Sequence, residues 1–173
     1  MSDSAAIRTA IERNVKAVSL RPSVGQGTAV TRARLRPGLS CEIEEGPWRF
    51  VAGMTEKYGG NNAGPNPGVY GRAALASCLA IGYSMWAARL EVQIDALEVE
   101  VHADYDVRGE LGVSDSVSPG YSDIRCMVTV ESPAAEADVL RVLDTADRHS
   151  SWLDDYKRAL PVSRQVRITA PQR

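Results

Sequence analysis

A long helix without a polar face is the feature that most limits how this chain can fold. Asn66 is a good helix N-cap, and Pro67 suits the first helical position, where its missing N–H costs nothing. Small or apolar residues then continue on every side of the helix, through Ala73–Ile81 to about Arg89. Because a helix that is apolar all round has to be covered, we expect other structure to enclose it.

Strands are predicted before and after this helix. Turn signals and alternation predict an antiparallel meander over residues 28–36, 40–45 and 48–54. Apolar and polar residues alternate again over 97–107 and over 124–130, which predicts two strands with one face in the core. The order strands, helix, strands, helices is typical of the α+β class and not of alternating βαβ units.

Further elements are predicted at both ends of the chain. Ile7, Ile11, Val15 and Val18 recur at helical spacing and predict an N-terminal amphipathic helix. We divide the 173 residues into an N-terminal helical extension with a linker, residues 1–27, and one domain, residues 28–173.

The C-terminal part is predicted to be helical and then extended. Ser132 suits the cap and Pro133 the first turn of a helix whose inward-facing residues are Val139, Leu143 and Ala146. A shorter helix near residues 152–160 follows. Three apolar residues then predict a last strand: Val162, Val166 and Ile168.

Charge and hydropathy exclude several kinds of partner. Twenty Lys plus Arg against 22 Asp plus Glu give a net charge of -2, too balanced for the positive field that nucleic-acid binding needs. Charged residues interrupt the first 20 positions, so no signal peptide is expected and the protein is predicted to be cytoplasmic. The longest uncharged apolar stretch, residues 73–88, falls short of the roughly 18 apolar residues of a bilayer span, so no membrane partner is expected.

Three cysteines are present, and one of them is a candidate for chemistry. Cys41, Cys78 and Cys126 are odd in number and lack CxxC spacing, so neither a disulfide framework nor a zinc site is expected. Cys78 lies in the unusual helix and is a nucleophile or redox group once it is deprotonated. Cys126 alternates with core residues on its strand, which favours a packing role.

The helical neighbours of Cys78 do not activate it. The residues three and four positions away are apolar or small and would raise the pKa of the thiol, unless a cation reached it from another element. The row Arg32, Arg34 and Arg36 is the obvious source of such a cation, since a guanidinium stays charged. Two plainer interpretations stay open, namely Cys78 as a small buried hydrophobe and the arginine row as a solvated strand face.

Two other patterns favour structure over chemistry. His102 shares a strand face with Glu100 and Asp104, and a solvated acidic face explains this better than a metal site, whose ligands usually come from several elements. His149 and Ser150 are adjacent and therefore do not point at each other as a catalytic pair would. No phosphate-binding glycine motif is present, and no cofactor is expected.

Three runs of residues carry a resemblance to a known family. They are Gly59-Gly60, Gly64-Pro65-Asn66-Pro67 and the helical run from Ala73 to Ala80. There the chain resembles the OsmC-like family, which comprises osmotically inducible protein C and organic hydroperoxide resistance proteins. The resemblance implies an intertwined α+β homodimer, in which antiparallel sheets from two chains wrap around long central helices. The order of elements supports it over residues 28–168, and the N-terminal helix looks like an addition.

The resemblance also implies site residues. Family members with peroxidase activity use two cysteines, with an arginine and an acidic residue that assist the first thiol. By motif, Cys78 matches the first cysteine and Arg36 is the best match for the arginine. Two positions depart from the pattern: Ser150 stands where the second cysteine is expected, and Gly68 stands where an acidic residue often follows the Asn-Pro pair.

These departures leave a one-cysteine cycle. A serine cannot form a disulfide, so Cys78 would be oxidised by a hydroperoxide to a sulfenic acid and returned to the thiol by an external thiol reductant. We therefore expect thiol-dependent reduction of organic hydroperoxides in oxidative stress defence. The other hypothesis is a noncatalytic family member that binds a small apolar or acidic ligand in the same pocket.

Overall fold

The structure is a computed structural model that describes residues 4–170. It combines helices with antiparallel sheets, as the α+β prediction requires. The elements in chain order are α1 (Ser4–Leu20), β1 (Arg32–Arg36), β2 (Ser40–Glu45), β3 (Trp48–Gly53), α2 (Pro67–Leu90), β4 (Ala96–Tyr105), α3 (Val107–Glu110), β5 (Tyr121–Glu131), α4 (Glu136–Arg148) and α5 (Ser151–Lys157).

The start of α2 is the one that the sequence predicts. The side chain of Asn66 accepts a hydrogen bond from the backbone N–H of Val69 at 3.1 Å, and Pro67 is the first residue of the helix. The helix ends at Leu90, where Glu91 adopts a left-handed conformation with φ of 57°. The backbone N–H of Val92 then bonds to the carbonyl of Ala87, which closes the last turn.

One side of α2 forms the core of the protomer. Leu75, Leu79 and Tyr83 are buried there with Ala146 of α4. Partly buried side chains of β4 and β5 pack against this cluster, among them Val99, Val101, Ile124, Cys126 and Val128.

The other side of α2 is open. Ile81 is 61% exposed and Met85 is 40% exposed. The expectation that other structure encloses this helix is therefore wrong for a single chain, because nothing in residues 4–170 covers that face. By length and composition alone α2 could also cross a membrane, and 28% of its most apolar 18-residue window is buried.

The strands form two separate antiparallel sheets. β4 pairs with β5, with Val99 opposite Val128, and this hairpin carries the apolar face that packs on α2. β1, β2 and β3 form the other sheet in that order. Its first strand begins at Arg32, so the predicted start at residue 28 was wrong and residues 28–31 lie outside β1. Every residue of β1 is exposed. The hydroxyl of Tyr70 in α2 donates to the carbonyl of Val51 in β3 at 2.5 Å and ties this sheet to the helix.

Two predictions for the C-terminal part are wrong. Ser132 does not cap α4, because the helix begins at Glu136 with Ala135 at its N-cap. The Ser132 hydroxyl donates to the carbonyl of Gln93 at 2.5 Å and accepts from the backbone N–H of Ala134 at 3.1 Å, ahead of the helix. The predicted last strand does not form: residues 158–170 belong to neither of the two sheets of the chain. Val162 is 93% exposed and Ile168 is 91% exposed.

Candidate functional site

Cys78 of α2 lies against the first turn of α5. Ser150 is the N-cap of α5, and its Oγ accepts a hydrogen bond from the backbone N–H of Leu153 at 3.3 Å. The same Oγ lies 3.5 Å from the Sγ of Cys78. The Oγ of Ser151 lies 3.8 Å from that sulfur. Ser150 is 7% exposed, so the contact is shielded from solvent while Cys78 itself is half-buried.

The pKa of the Cys78 thiol lies below its ordinary value. Burial is the largest single effect and raises this pKa. Hydrogen bonds from the hydroxyls of Ser150 and Ser151 and from the backbone of Ser151 and Trp152 together outweigh the effect of burial. Hydrogen bonds to the charged form favour ionisation. The start of α5 therefore favours a thiolate at Cys78, the form in which cysteine is a nucleophile.

The prediction that only a cation could lower this pKa is wrong. The helical neighbours of Cys78 are apolar, but the activating donors come from α5, 72 residues later in the sequence. The spacing of residues within α2 therefore carries no information about these donors. The one signal in the sequence was the family resemblance, which had already singled out Ser150.

The structure does not bring Arg36 to Cys78 within one chain. Arg36 donates to a carboxylate oxygen of Glu42 on β2 at 2.6 Å, and this hydrogen bond holds the pKa of Glu42 below its ordinary value. Arg34 pairs with Glu44 in the same way at 2.9 Å. Among residues 4–170, no arginine side chain is hydrogen-bonded to the sulfur of Cys78. The arginine row is thus an exposed strand face in the protomer, with Arg34 and Arg36 ion-paired, and a catalytic role for Arg36 stays a prediction.

The other two thiols have different surroundings. Cys126 packs against the α2 core cluster, as predicted, and its pKa is raised by burial first and then by the charge of Asp147. Asp147 also accepts a hydrogen bond from the hydroxyl of Tyr83 at 2.8 Å. Cys41 is half-buried on β2, opposite Ala52 of β3. Neither thiol shares the hydrogen bonds that activate Cys78.

α5 lies antiparallel along α2. Its first turn contacts Cys78, whereas the hydroxyl of Tyr156, near its last turn, donates to the carbonyl of Gly71 at 3.2 Å. The Nη1 of Arg72 donates to the hydroxyl of Tyr121 at 2.8 Å. The two helices therefore pack side by side, with Cys78 beside the start of α5 and Gly71 beside its end.

Gly68 lies beside Arg72 and Tyr121. A Cβ atom at position 68 would lie 3.3 Å from the Nη1 of Arg72 and 3.3 Å from the hydroxyl of Tyr121, which itself donates to the Gly68 carbonyl at 3.3 Å. Such distances are tight for a Cβ. The position where family members often carry an acidic residue is thus closed in by a cation and a phenol.

A cleft of about 670 Å³ lies elsewhere. Residues of α1, the C-terminal end of α2 and the connection to β4 line it, and Cys78 is not among them. An ion pair between Arg8 and Glu91 joins α1 to the end of α2 beside this cleft. The cleft therefore belongs to the packing of α1 and not to the thiol site.

The two histidines are engaged in other contacts. His102 bonds through Nε2 to a carboxylate oxygen of Glu100 at 3.0 Å, on an exposed strand face. The ring of His149 stacks on Trp86, with centroids 4.9 Å apart, and does not pair with Ser150. Within residues 4–170, no group of three or more His, Cys, Asp or Glu side chains is arranged to hold a metal ion.

Comparison with solved structures identifies the fold. An OsmC-like protein from Mycoplasma pneumoniae superimposes with a TM-score of 0.66 at 14% identity, over 76% of this chain and 89% of that chain. A hypothetical protein from Aquifex aeolicus VF5 gives 0.60 at 11% identity, over 76% and 89% of the two chains. A protein from Legionella pneumophila, described as an organic hydroperoxide resistance protein OsmC, gives 0.55 at 11% identity, over 74% and 88%.

Sequence comparison identifies the family. No curated protein matches the chain. The family model described as OsmC-like protein matches residues 59–164, which is more than half of the chain and includes α2, both long strands, α4 and α5. The helix α1 lies outside the matched range. The chain therefore belongs to the OsmC-like protein family.

Proposed function

We propose that this OsmC-like chain reduces organic hydroperoxides through Cys78. The observation that supports this most is the lowered pKa of a half-buried thiol, which arises from hydroxyl and backbone donors at the start of α5. The structurally similar protein from Legionella pneumophila is described as an organic hydroperoxide resistance protein.

The first step oxidises the sulfur by two electrons. The Cys78 thiolate attacks one oxygen of the hydroperoxide, an S–O bond forms, the O–O bond breaks, and the alkoxide takes a proton and leaves as an alcohol. Cys78 is then a sulfenic acid. The Ser150 hydroxyl donates to the thiolate before the attack and is free to hydrogen-bond to the new oxygen afterwards.

An external thiol reduces the enzyme. Ser150 has no sulfur and cannot resolve the sulfenic acid, while Cys126 is packed against the core cluster of α2 and α4. A first thiol forms a mixed disulfide with Cys78 and releases water, and a second thiol attacks this disulfide and returns Cys78 to the reduced state. Two thiols are oxidised to one disulfide for each hydroperoxide consumed.

The proposed assembly is a cytoplasmic homodimer. Three surfaces lack a partner within residues 4–170: the open face of α2 with Ile81, the sheet that carries Leu35 and Trp48, and the extended segment with Ile168. Burying such apolar surface between two chains is favourable. In the proposed dimer, Arg36 would reach Cys78 only as a residue of the partner chain.

Peroxide consumption tests the proposal. Purified protein should consume an organic hydroperoxide such as cumene hydroperoxide with dithiothreitol or a dihydrolipoyl donor as reductant. The Cys78→Ser variant should lose turnover, and the matched Cys126→Ser variant should keep it. Equal turnover by wild type and Cys78→Ser would overturn the proposal.

A noncatalytic binding role is the competing function. It is favoured by Ser150, which takes the place of the second family cysteine and removes the internal disulfide. A protein without any thiol-dependent turnover, whose thermal stability nevertheless rises with small apolar or acidic compounds, would support this role.

A further inference from the structure

We infer that Tyr83 and Asp147 are positioning residues of the Cys78 site: the hydrogen bond between them fixes the turn from α4 into α5 and so holds the Ser150 hydroxyl against the sulfur. The two residues act on the sulfur through Ser150 and not by contact with it. The consequence for hydroperoxide reduction rests on the proposed function, whereas the effect on the reactivity of the thiol does not.

Asp147 connects the core of α2 to the start of α5. Its carboxylate accepts a hydrogen bond from the hydroxyl of Tyr83 at 2.8 Å. Its backbone carbonyl accepts one from the N–H of Ser150 at 3.3 Å, and the Oγ of Ser150 lies 3.5 Å from the Sγ of Cys78. Tyr83 and Cys78 both belong to α2. The contacts therefore leave α2 at Tyr83 and return to it at Cys78, which fixes Ser150 relative to the helix that carries the sulfur.

Tyr83 is a rigid anchor for this connection. The residue is 3% exposed and belongs to the core cluster of α2. Its hydroxyl is the only polar group of the side chain, and a buried hydroxyl without a partner is costly. Burial first, and then the hydrogen bond and charge of Asp147, hold the pKa of Tyr83 well above its ordinary value. The phenol therefore stays protonated and donates to Asp147 over the whole pH range in which a thiol titrates.

The position of α5 depends on directional contacts of this kind. None of the seven residues of α5 is fully buried, and the helix packs on the core cluster through the half-buried Leu153. Only His149 and Ser150 separate the end of α4 from the start of α5. A displacement of the last turn of α4 is thus passed directly to the groups that contact Cys78. Apolar packing holds α4 against α2, but a hydrogen bond also fixes direction and distance.

The pH profile of alkylation tests this inference without any peroxide. The rate at which iodoacetamide labels Cys78 is measured over a series of pH values by peptide mass spectrometry. Tyr83→Phe removes one hydroxyl and keeps the ring in the core. Its profile should shift to higher pH, and labelling at neutral pH should slow by about threefold, because the Ser150 hydroxyl is then held less well. Removing that hydroxyl outright by Ser150→Ala should slow labelling more, by roughly tenfold.

Matched variants separate positioning from other effects. Tyr70→Phe removes another hydroxyl of α2, one that donates to the carbonyl of Val51 on β3, and should keep the wild-type profile. Asp147→Asn keeps an acceptor oxygen for Tyr83 and should also keep the profile, whereas Asp147→Ala should shift it as Tyr83→Phe does. A profile of Asp147→Asn shifted to lower pH would show instead that the charge of Asp147 acts on the sulfur directly, which contradicts the positioning role.

A double variant shows whether Tyr83 acts through Ser150. Tyr83→Phe combined with Ser150→Ala should slow labelling by less than the product of the two single effects, because the hydroxyl that Tyr83 positions is already absent. Single effects that multiply in full, or a Tyr83→Phe profile that superimposes on that of wild type, would overturn the inference.

The same variants distinguish this inference from the proposed function. A shifted Tyr83→Phe profile in a protein without hydroperoxide turnover would support the positioning role and contradict the peroxidase. Turnover of cumene hydroperoxide with an unshifted profile would contradict the positioning role and leave the peroxidase standing.

Discussion

The Sγ of Cys78 lies 3.5 Å from the Oγ of Ser150, a side chain that also caps α5. A hydroxyl has one donor and two acceptor sites, so Ser150 can accept from the backbone N–H of Leu153 and donate to the sulfur at the same time. One side chain thus fixes the start of α5 and stabilises the charged form of the thiol.

Removing this hydroxyl should make Cys78 less reactive. The Ser150→Ala variant loses a hydrogen bond to a charged group, worth about 1.5 kcal/mol, so alkylation of Cys78 by iodoacetamide at neutral pH should slow by roughly tenfold. The wild-type pKa lies below the ordinary thiol value, and the reaction should therefore reach half its maximum at a lower pH in wild type than in the variant. Ser77→Ala, on an exposed position of α2, is the control and should match wild type. Superimposable pH profiles for wild type and Ser150→Ala would count against this role of the hydroxyl.

Replacing Ser150 by cysteine should restore an internal cycle. Ser150→Cys places a second sulfur beside Cys78, where attack on the sulfenic acid forms a disulfide and releases water. One equivalent of hydroperoxide should then lower the free thiols of the variant from four to two, because Cys41 and Cys126 stay reduced, and the mass should fall by two hydrogens. Ser77→Cys should form no such bond, because its Oγ bonds to the carbonyl of Ala74 and not to Cys78. A Ser150→Cys protein that keeps all four of its thiols after peroxide treatment would show that the positions are not aligned for a disulfide.

The sequence predicted α2 and the strands β2 to β5 well because their signals are local. Asn66 and Pro67 mark a helix start through capping chemistry that acts within one turn, and the alternation along β4 and β5 follows from side-chain direction in a strand. The cap at Ser132 was wrong in position: its hydroxyl accepts from the backbone N–H of Ala134 and donates to the carbonyl of Gln93, 39 residues away, while the helix begins later, at Glu136.

The candidate site was predicted less well than the fold. The motif around Cys78 identified the sulfur, but the donors that activate it belong to another helix and are brought near only by tertiary packing. Arg36 illustrates the opposite case. Its strand position suggested a site residue, whereas in the protomer it pairs diagonally across the β1–β2 hairpin with Glu42, the residue opposite Arg34.

The core around α2 should dominate the stability of the fold. Leu79 is fully buried, so Leu79→Ala should lower the free energy of unfolding by about 2–5 kcal/mol through lost burial and a residual cavity. Leu111→Ala, at an exposed position beyond α3, should change it by less than about 0.5 kcal/mol. Urea unfolding at one protein concentration measures both. A Leu79→Ala protein as stable as Leu111→Ala would contradict the assignment of the core.

The extended C-terminal segment should contribute to the proposed dimer. Val162 and Ile168 are almost fully exposed in the protomer, and we expect them to be buried against a second chain. Light scattering should give wild type twice the chain mass of 18.7 kDa, and the double change Val162→Asp with Ile168→Asp should return the mass to that of one chain. Leu111→Asp, a charge at another exposed leucine, should leave the dimer intact. A wild-type protein that is monomeric at every concentration would contradict the proposed assembly.

Trapping of the oxidised sulfur tests the proposed reaction most directly. Reduced protein is mixed with one equivalent of cumene hydroperoxide in the presence of dimedone, which captures sulfenic acids, and the adduct is located by peptide mass spectrometry. The account predicts an adduct at Cys78, little at Cys41 or Cys126, and release of one equivalent of the alcohol. Unmodified Cys78 beside unconsumed hydroperoxide would contradict it.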